Sequence, residues 1–195
     1  MAANAAEILE RFFDEVGADV GELARDEEVI AWFNAGVARL PARYPRTASI
    51  TWAGNASSIT LPTDFSAFDR VEVTTGILYS HVIWGSELRF FTPTSSSGAG
   101  TLFYYAHFPP VDGSNDSVLS PIGDEACLSY ALFRFFRKLA ASRADFRRYA
   151  TITGQTGLDV SDLDAVAERY RQDYIDARQE LEDGDFAQPV GLDGV

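Results

Sequence analysis

The segment SPIGDEACLSYALFRFFRKLA (120–140) constrains this chain more than any other. Read as a helix at about 100° per residue, it places Leu128, Leu132, Phe135, Phe136 and Leu139 in one stripe. Ile122, Ala126, Tyr130 and Phe133 fall on nearly the opposite side. A helix with one apolar face packs on a core, whereas one with two needs a second partner. Either the last helix of the same chain or another subunit can supply it. Any fold for this sequence has to cover residues 122–141 on both sides.

The remaining helical patterns are simpler. Residues 5–16 repeat Ile8, Phe12 and Val16 on one face, with Asn4 as N-cap, Glu7 three positions later and Gly17 to close the end. Residues 26–40 bury Val29, Ile30, Phe33, Val37 and Leu40, begin with Glu27 and Glu28 in the first turn, and stop at Pro41. Gly36 inside this helix costs about 1 kcal/mol relative to Ala, which a close helix–helix approach would justify. Residues 161–182 carry Leu163, Val166, Ala167, Tyr170, Tyr174, Ala177 and Leu181 in one stripe, with Ser161 as N-cap. The stretch TITGQTGLDV (151–160) is too rich in Gly and Thr to be helical.

Between the second and third helices the period switches to two. Ile50/Trp52 and Ile59/Leu61 flank a GNAS turn and read as a hairpin. Val71/Val73, Tyr79/His81/Ile83, Leu88/Phe90 and Leu102/Tyr104/Ala106 mark further strands, with SSSGAG (95–100) as a hairpin tip. The expected fold class is α+β: a bundle of about four helices with an inserted antiparallel β block (48–108) of five or six strands. Residues 1–183 would form one domain, followed by a flexible C-terminal tail, 184–195, punctuated by Phe186, Val190 and Leu192.

Composition narrows the functional classes. The single cysteine, Cys127, leaves no intrachain disulfide and no cysteine-based metal cluster. The N-terminal residues lack the basic and apolar regions of a secretory signal, and no apolar run reaches the ~18 residues of a membrane span. A net charge of −13 opposes wrapping DNA with the whole surface, since phosphate contacts need Lys and Arg. Of 16 basic residues only Lys138 is lysine, and aromatics make up 13% of the chain. Arginine and aromatic side chains are both favoured at protein interfaces.

No residue set forms a catalytic or ligand-binding constellation. His81 and His107 lie on strands without HxxxH or HExxH spacing, so each reads as a packed or half-exposed strand histidine. Cys127 lies near a helix N-terminus but has no nearby base. SSSGAGT lacks the following helix and the lysine of a phosphate loop. Asp112, Ser114 and Asp116 open like a calcium loop, but Ser117 stands where glycine is needed and Gly123 where glutamate is needed. No cofactor, no metal and no catalytic residue are expected. The cluster Arg134, Arg137, Lys138, Arg143, Arg147 and Arg148 reads as a solvated face balanced by the acidic last helix. Alternatively it faces DNA or an acidic neighbouring subunit, and Asp159, Asp162, Asp164, Glu168, Asp173 and Asp176 supply such an acidic surface.

The order of these parts resembles the head–tail connector (adaptor) proteins of tailed bacteriophages and phage-like particles. The matching positions are Phe33–Asn34–Ala35, Leu61–Pro62 with Phe65 leading into Val71, Tyr104–Tyr105, the helix from Glu125 to Leu139, and the final helix through Leu181. The 151–160 insertion departs from the pattern. The resemblance implies a structural virion protein, assembled in the host cytoplasm, that docks under the portal as a dodecameric ring and extends the DNA channel to the tail. Its partners would be the portal protein, the next neck or tail protein and its own copies. Packaged DNA would pass without specific binding, no membrane would be involved, and no enzymatic residues are inherited. Tyr130, Phe133, Arg134 and Arg137, with Phe186, Val190 and Leu192 of the tail, are the expected partner interface. In that family the C-terminal segment commonly grips the portal. A neck stopper or tail-completion protein, a carbohydrate-binding β module using Trp52 or Trp84, and a small hydrolase using His107 or Cys127 are the alternatives.

Overall fold

The computed structural model describes residues 3–17, 20–40, 44–73, 76–77, 81–91, 96–155, 157 and 159–183. Among these, the chain divides into two compact units. The helical unit takes the residues on either side of the β block, and the strand unit is the block itself. The division has a physical cause: each unit closes its own apolar core.

The helical unit holds α1 (Ala5–Val16), α2 (Asp26–Val37), α3 (Pro121–Ala141), α4 (Arg143–Ile152) and α5 (Val160–Asp183). In α1 the Asn4 side chain accepts from the Glu7 N–H and the Glu7 carboxylate accepts from the Asn4 N–H, a reciprocal cap. Helix α2 ends at Val37 rather than residue 40, and the N–H groups of Arg39 and Leu40 tighten into a last narrow turn on Gly36 and Val37. Ser120 caps α3 by accepting from Gly123, with Pro121 in its first turn. Asp159 rather than Ser161 caps α5: it accepts from Ser161 and Asp162 N–H, while Asp162 returns the bond to the Asp159 N–H. Helix α4 is a fifth helix that the pattern did not show. Ser142 caps it, and Tyr149 is its one buried residue.

Phe12, Phe33 and Phe135 are fully buried at the centre of this unit. Phe12 meets Phe135 edge-on at 5.6 Å, and Phe136 stacks on Tyr170 of α5 at 5.7 Å. The Asn34 side chain donates to the Val111 carbonyl and accepts from its N–H, both at 2.8 Å, fixing the segment that leads into α3. Asp124 is buried and accepts from the Ser117 hydroxyl at 2.5 Å. Burial pushes its carboxyl up, against the downward pull of Ser117 and of the Arg11 charge.

The strand unit contains β1 (Tyr44–Trp52), β2 (Ser58–Thr60), β3 (Phe65–Val73), β4 (Gly76–Ile77), β5 (His81–Trp84), β6 (Glu87–Phe90) and β7 (Gly98–Ala106). They form two antiparallel sheets, ordered β1-β7-β3-β4 and β2-β6-β5, rather than one of five or six strands. The turn at Asn55 (φ 65°) is present, but β1 and β2 separate after it. Trp52 pairs with Gly98 of β7, and Ile59 with Leu88 of β6. The reason is burial: Ile50, Val71, Leu102 and Tyr104 of one sheet share a core with Leu88, Ile59 and Ile83 of the other. The SSSGAG stretch is likewise no hairpin tip, since β6 and β7 lie in different sheets and Gly98–Gly100 belong to β7. Tyr79, expected on the strand of His81, lies outside the described residues.

Gly36 lies where α2 crosses α3. A Cβ there would stand 3.2 Å from Tyr130 Cβ and 3.3 Å from Cys127 Cα. Gly36→Val should therefore destabilise the protein by about 1–3 kcal/mol, read by urea denaturation, because the crossing has no room for added methyls. Burial also pushes the Tyr170 and Tyr174 hydroxyls up to about 12, Glu15 contributing at Tyr170. Unfolded phenols ionise near pH ~10, so the folded state keeps protons that the unfolded state has released. This stability is complete below pH ~10 and lost as pH rises toward ~12. A melting temperature that falls over this window, with a smaller fall in Tyr174→Phe, is the expected result.

Candidate functional site

The second apolar face of α3 is the first surface to place. Tyr130, expected at a partner interface, is buried by its own chain. Its ring lies 5.1 Å from that of Tyr174 on α5, and the Tyr174 hydroxyl donates to the Gly36 carbonyl at 3.3 Å. Ala126, Tyr130 and Tyr174 make a small core, with half-buried Phe133 and Ala177 packed against it. Of the two partners considered for this face, the last helix of the same chain covers Tyr130, so this expected interface residue packs within its own subunit. Tyr170 and Tyr174, one turn apart on α5, are long enough to span both faces of α3. Phe133 remains half-buried, and Ile122 is exposed. Tyr130→Ala should accordingly cost about 3–5 kcal/mol in thermal or urea unfolding instead of leaving the fold intact.

The basic cluster divides into paired and exposed members. Arg137 reaches Asp164 of α5 at 2.7 Å, so the acidic last helix does balance part of it. Lys138 donates to Glu28 at 2.7 Å and to the Leu23 carbonyl at 2.8 Å, and Arg148 stands 3.9 Å from Glu22. Arg134, Arg143 and Arg147 are exposed and enter no ion pair among the described residues. Arg143 is the first residue of α4, where a positive charge meets the positive end of the helix dipole. At the far end of α5, Glu180 stands exposed in a last turn with no basic residue, while Glu182 is reached by Arg178 one turn back at 3.4 Å. Each arrangement is unfavourable by about 0.3–1 kcal/mol per charge at an exposed site.

In the strand unit, Val82 and Trp84 share the outward side of β5, and Arg89 of β6 stands opposite Val82. The Arg89 guanidinium lies 5.8 Å from the Trp84 ring. Trp84 is 68% exposed and Phe91, just beyond β6, 70% exposed. Trp52 is different: its ring packs 5.8 Å from Phe90 and closes over Gly98, where a Cβ would collide with it. Phe91 went unnoticed in the sequence because the FF pair at 90–91 does not show which ring turns outward.

Burial pushes the Cys127 thiol up, the Asp124 charge adding to it, so it is held protonated. His81 packs with its ring 4.6 Å from Phe68, and His107 is exposed at the end of β7. Asp112 accepts from the N–H groups of Ser114 and Asn115 and from the Asn115 amide, a turn that uses the carboxylate itself. Those three bonds hold its carboxyl below the usual carboxylate range. Gly100 serves strand packing, since a Cβ would come 2.6 Å from the Glu72 carbonyl oxygen. Among the described residues no group of three His, Cys, Asp or Glu could hold a metal ion, and no helix is long and apolar enough to cross a membrane. Phe186, Val190 and Leu192 lie outside the described residues.

The chain matches the family model described as SU10 adaptor protein over residues 3–191. It belongs to that family. The resemblance to phage head–tail adaptors seen in the order of its elements is thereby borne out, and the chain is a structural phage protein of the adaptor kind. No match was found among curated proteins.

Proposed function

We propose that this adaptor docks beneath the portal as a dodecameric ring and extends the DNA channel toward the tail, with the next neck or tail protein bound below it. The observation that carries this reading is the family match over residues 3–191. The exposed surfaces are consistent with it. Arg134 of α3 is exposed for a neighbouring copy, and the outward side of β5–β6 with Val82 and Trp84 is available to an adjoining virion protein. Arg137, expected at the interface, is shared with Asp164 of its own chain and contributes through that pair. A net charge of −13 suits a channel wall past which DNA slides without being held. The protein would sit at the neck of the virion after assembly in the host cytoplasm.

The same charge opposes crowding identical copies in free solution. Because α5 already covers Tyr130, the subunit has no large apolar face there that would force it to self-associate. The free protein should therefore sediment as a small species and form the ring on a portal template. Sedimentation of the protein alone and mixed with its cognate portal tests this. Co-sedimentation is the expected result, and its absence across low and moderate salt would refute the portal reading.

A further inference from the structure

A groove of about 450 Å³ lies in the helical unit where the end of α3, α4 and the start of α5 meet. Its lining is apolar at Ala140, Phe146 and Val160 and basic at Arg143 and Arg147. Phe146 and Ala140 are half-buried against the core, so the groove floor is anchored. The two arginines stand one turn apart on α4, exposed and without an ion pair among the described residues. Among the described lining residues Asp159 is the one carboxylate, and it is occupied in capping α5. The groove therefore presents two unpaired positive charges beside an apolar floor.

The chain itself carries the complementary chemistry. Past α5 the sequence reads DGDFAQPVGLDGV (183–195): Asp183 and Asp185 precede Phe186, followed by Val190 and Leu192. Glu180 and Glu182 extend the acidic run back into the last turn of α5, which holds no basic residue. A segment with carboxylates next to an aromatic ring fits a groove with arginines next to Phe146 and Val160. It would also relieve two misplaced charges at once, Arg143 at a helix N-terminus and Glu180 near a helix C-terminus.

Length decides which copy supplies the segment. Helix α5 has 24 residues, so Asp183 lies about 35 Å from Val160, which lines the groove. Leu192 is nine residues further on and reaches at most about 32 Å from Asp183 when fully extended. Residues 186–192 of the same copy cannot turn back and lie in the groove. We propose that the acidic 183–192 segment of one copy docks in the Arg143–Arg147 groove of a second copy, as a head-to-tail strap between neighbours. The strap rests on the ring reading only in requiring copies to stand side by side. A contact of this kind is heterologous, so it propagates around a ring rather than ending at a dimer.

The test is a labelled peptide of residues 180–195 titrated into the full-length protein and followed by fluorescence anisotropy. Saturable binding is expected, weakened by added salt. It should fall about tenfold or more in the Arg143→Glu/Arg147→Glu protein, as for loss of central interface arginines. Both positions are exposed, so that protein should stay folded, its melting temperature unchanged or slightly raised because Arg143→Glu removes a positive charge from the start of α4. Arg25→Glu, half that change of charge and placed at the start of α2 away from the groove, should leave binding unaltered. The strap is overturned if the peptide does not bind, if binding survives the double change, or if Arg25→Glu weakens it equally. It is also overturned if the peptide binds isolated portal but not this protein. Any of those results alongside intact portal co-sedimentation removes the strap and leaves the adaptor reading standing.

Discussion

The helical unit is organised by the need to cover α3 on two sides. Its first stripe, Leu128, Leu132, Phe135, Phe136 and Leu139, joins the core built by α1 and α2. Its second, with Ala126 and Tyr130, would be open if the chain ended at residue 141. Helix α5 closes it by running antiparallel to α3: Tyr170 stacks on Phe136 near one end, and Tyr174 meets Tyr130 further along. Once that geometry is required, other features follow. Gly36 must be small because α2 also crosses α3 beside Tyr130, and the Tyr174 hydroxyl finds its acceptor on the Gly36 carbonyl. The aromatic hydroxyls are kept neutral by the burial that makes them useful as packing.

The helices were legible where local chemistry declared them. The Asn4–Glu7 cap, the four-residue repeat of Ile8, Phe12 and Val16, and the stripe from Leu163 to Leu181 each hold in the structure. Helix α4 was not legible by periodicity, because one buried residue, Tyr149, makes no pattern. Its signal was Ser142, a cap residue before Arg143. The strands were legible one by one but their partners were not. Alternation says which face of a strand is buried and nothing about which strand lies beside it. A GNAS turn between two alternating runs satisfies every local rule for a hairpin, yet the shared core of two sheets draws β1 to β7 and β2 to β6.

The interface was the least legible part, and Tyr130 shows why. Periodicity reveals that a face is apolar but not whether the covering element belongs to the same chain. The available clue was the spacing of Tyr170 and Tyr174, two large rings one turn apart on a helix long enough to cover α3 from end to end. Charges were harder still. Arg134, Arg137 and Arg147 look alike in sequence, but Arg137 is matched by Asp164 while the other two are exposed without an ion pair among the described residues. Membership in the adaptor family came from the order of elements, a property that survives errors in strand pairing.

A subunit whose apolar faces are closed by its own helices is a stable object before it meets its partners. In the proposed ring, assembly would rely on exposed charge and on isolated rings such as Trp84. Contacts of that kind are individually weak and sensitive to salt. Under the ring proposal such weakness would suit subunits whose charge of −13 keeps free copies apart. A template that holds copies side by side raises their effective concentration, and contacts too weak to act in solution then close together. The misplaced charges at the start of α4 and the end of α5 fit this logic. Each slightly destabilises the separate subunit, and each is of the sign that an adjoining copy can neutralise. In the proposed ring, stability withheld from the monomer in this way would become a preference for the assembled state.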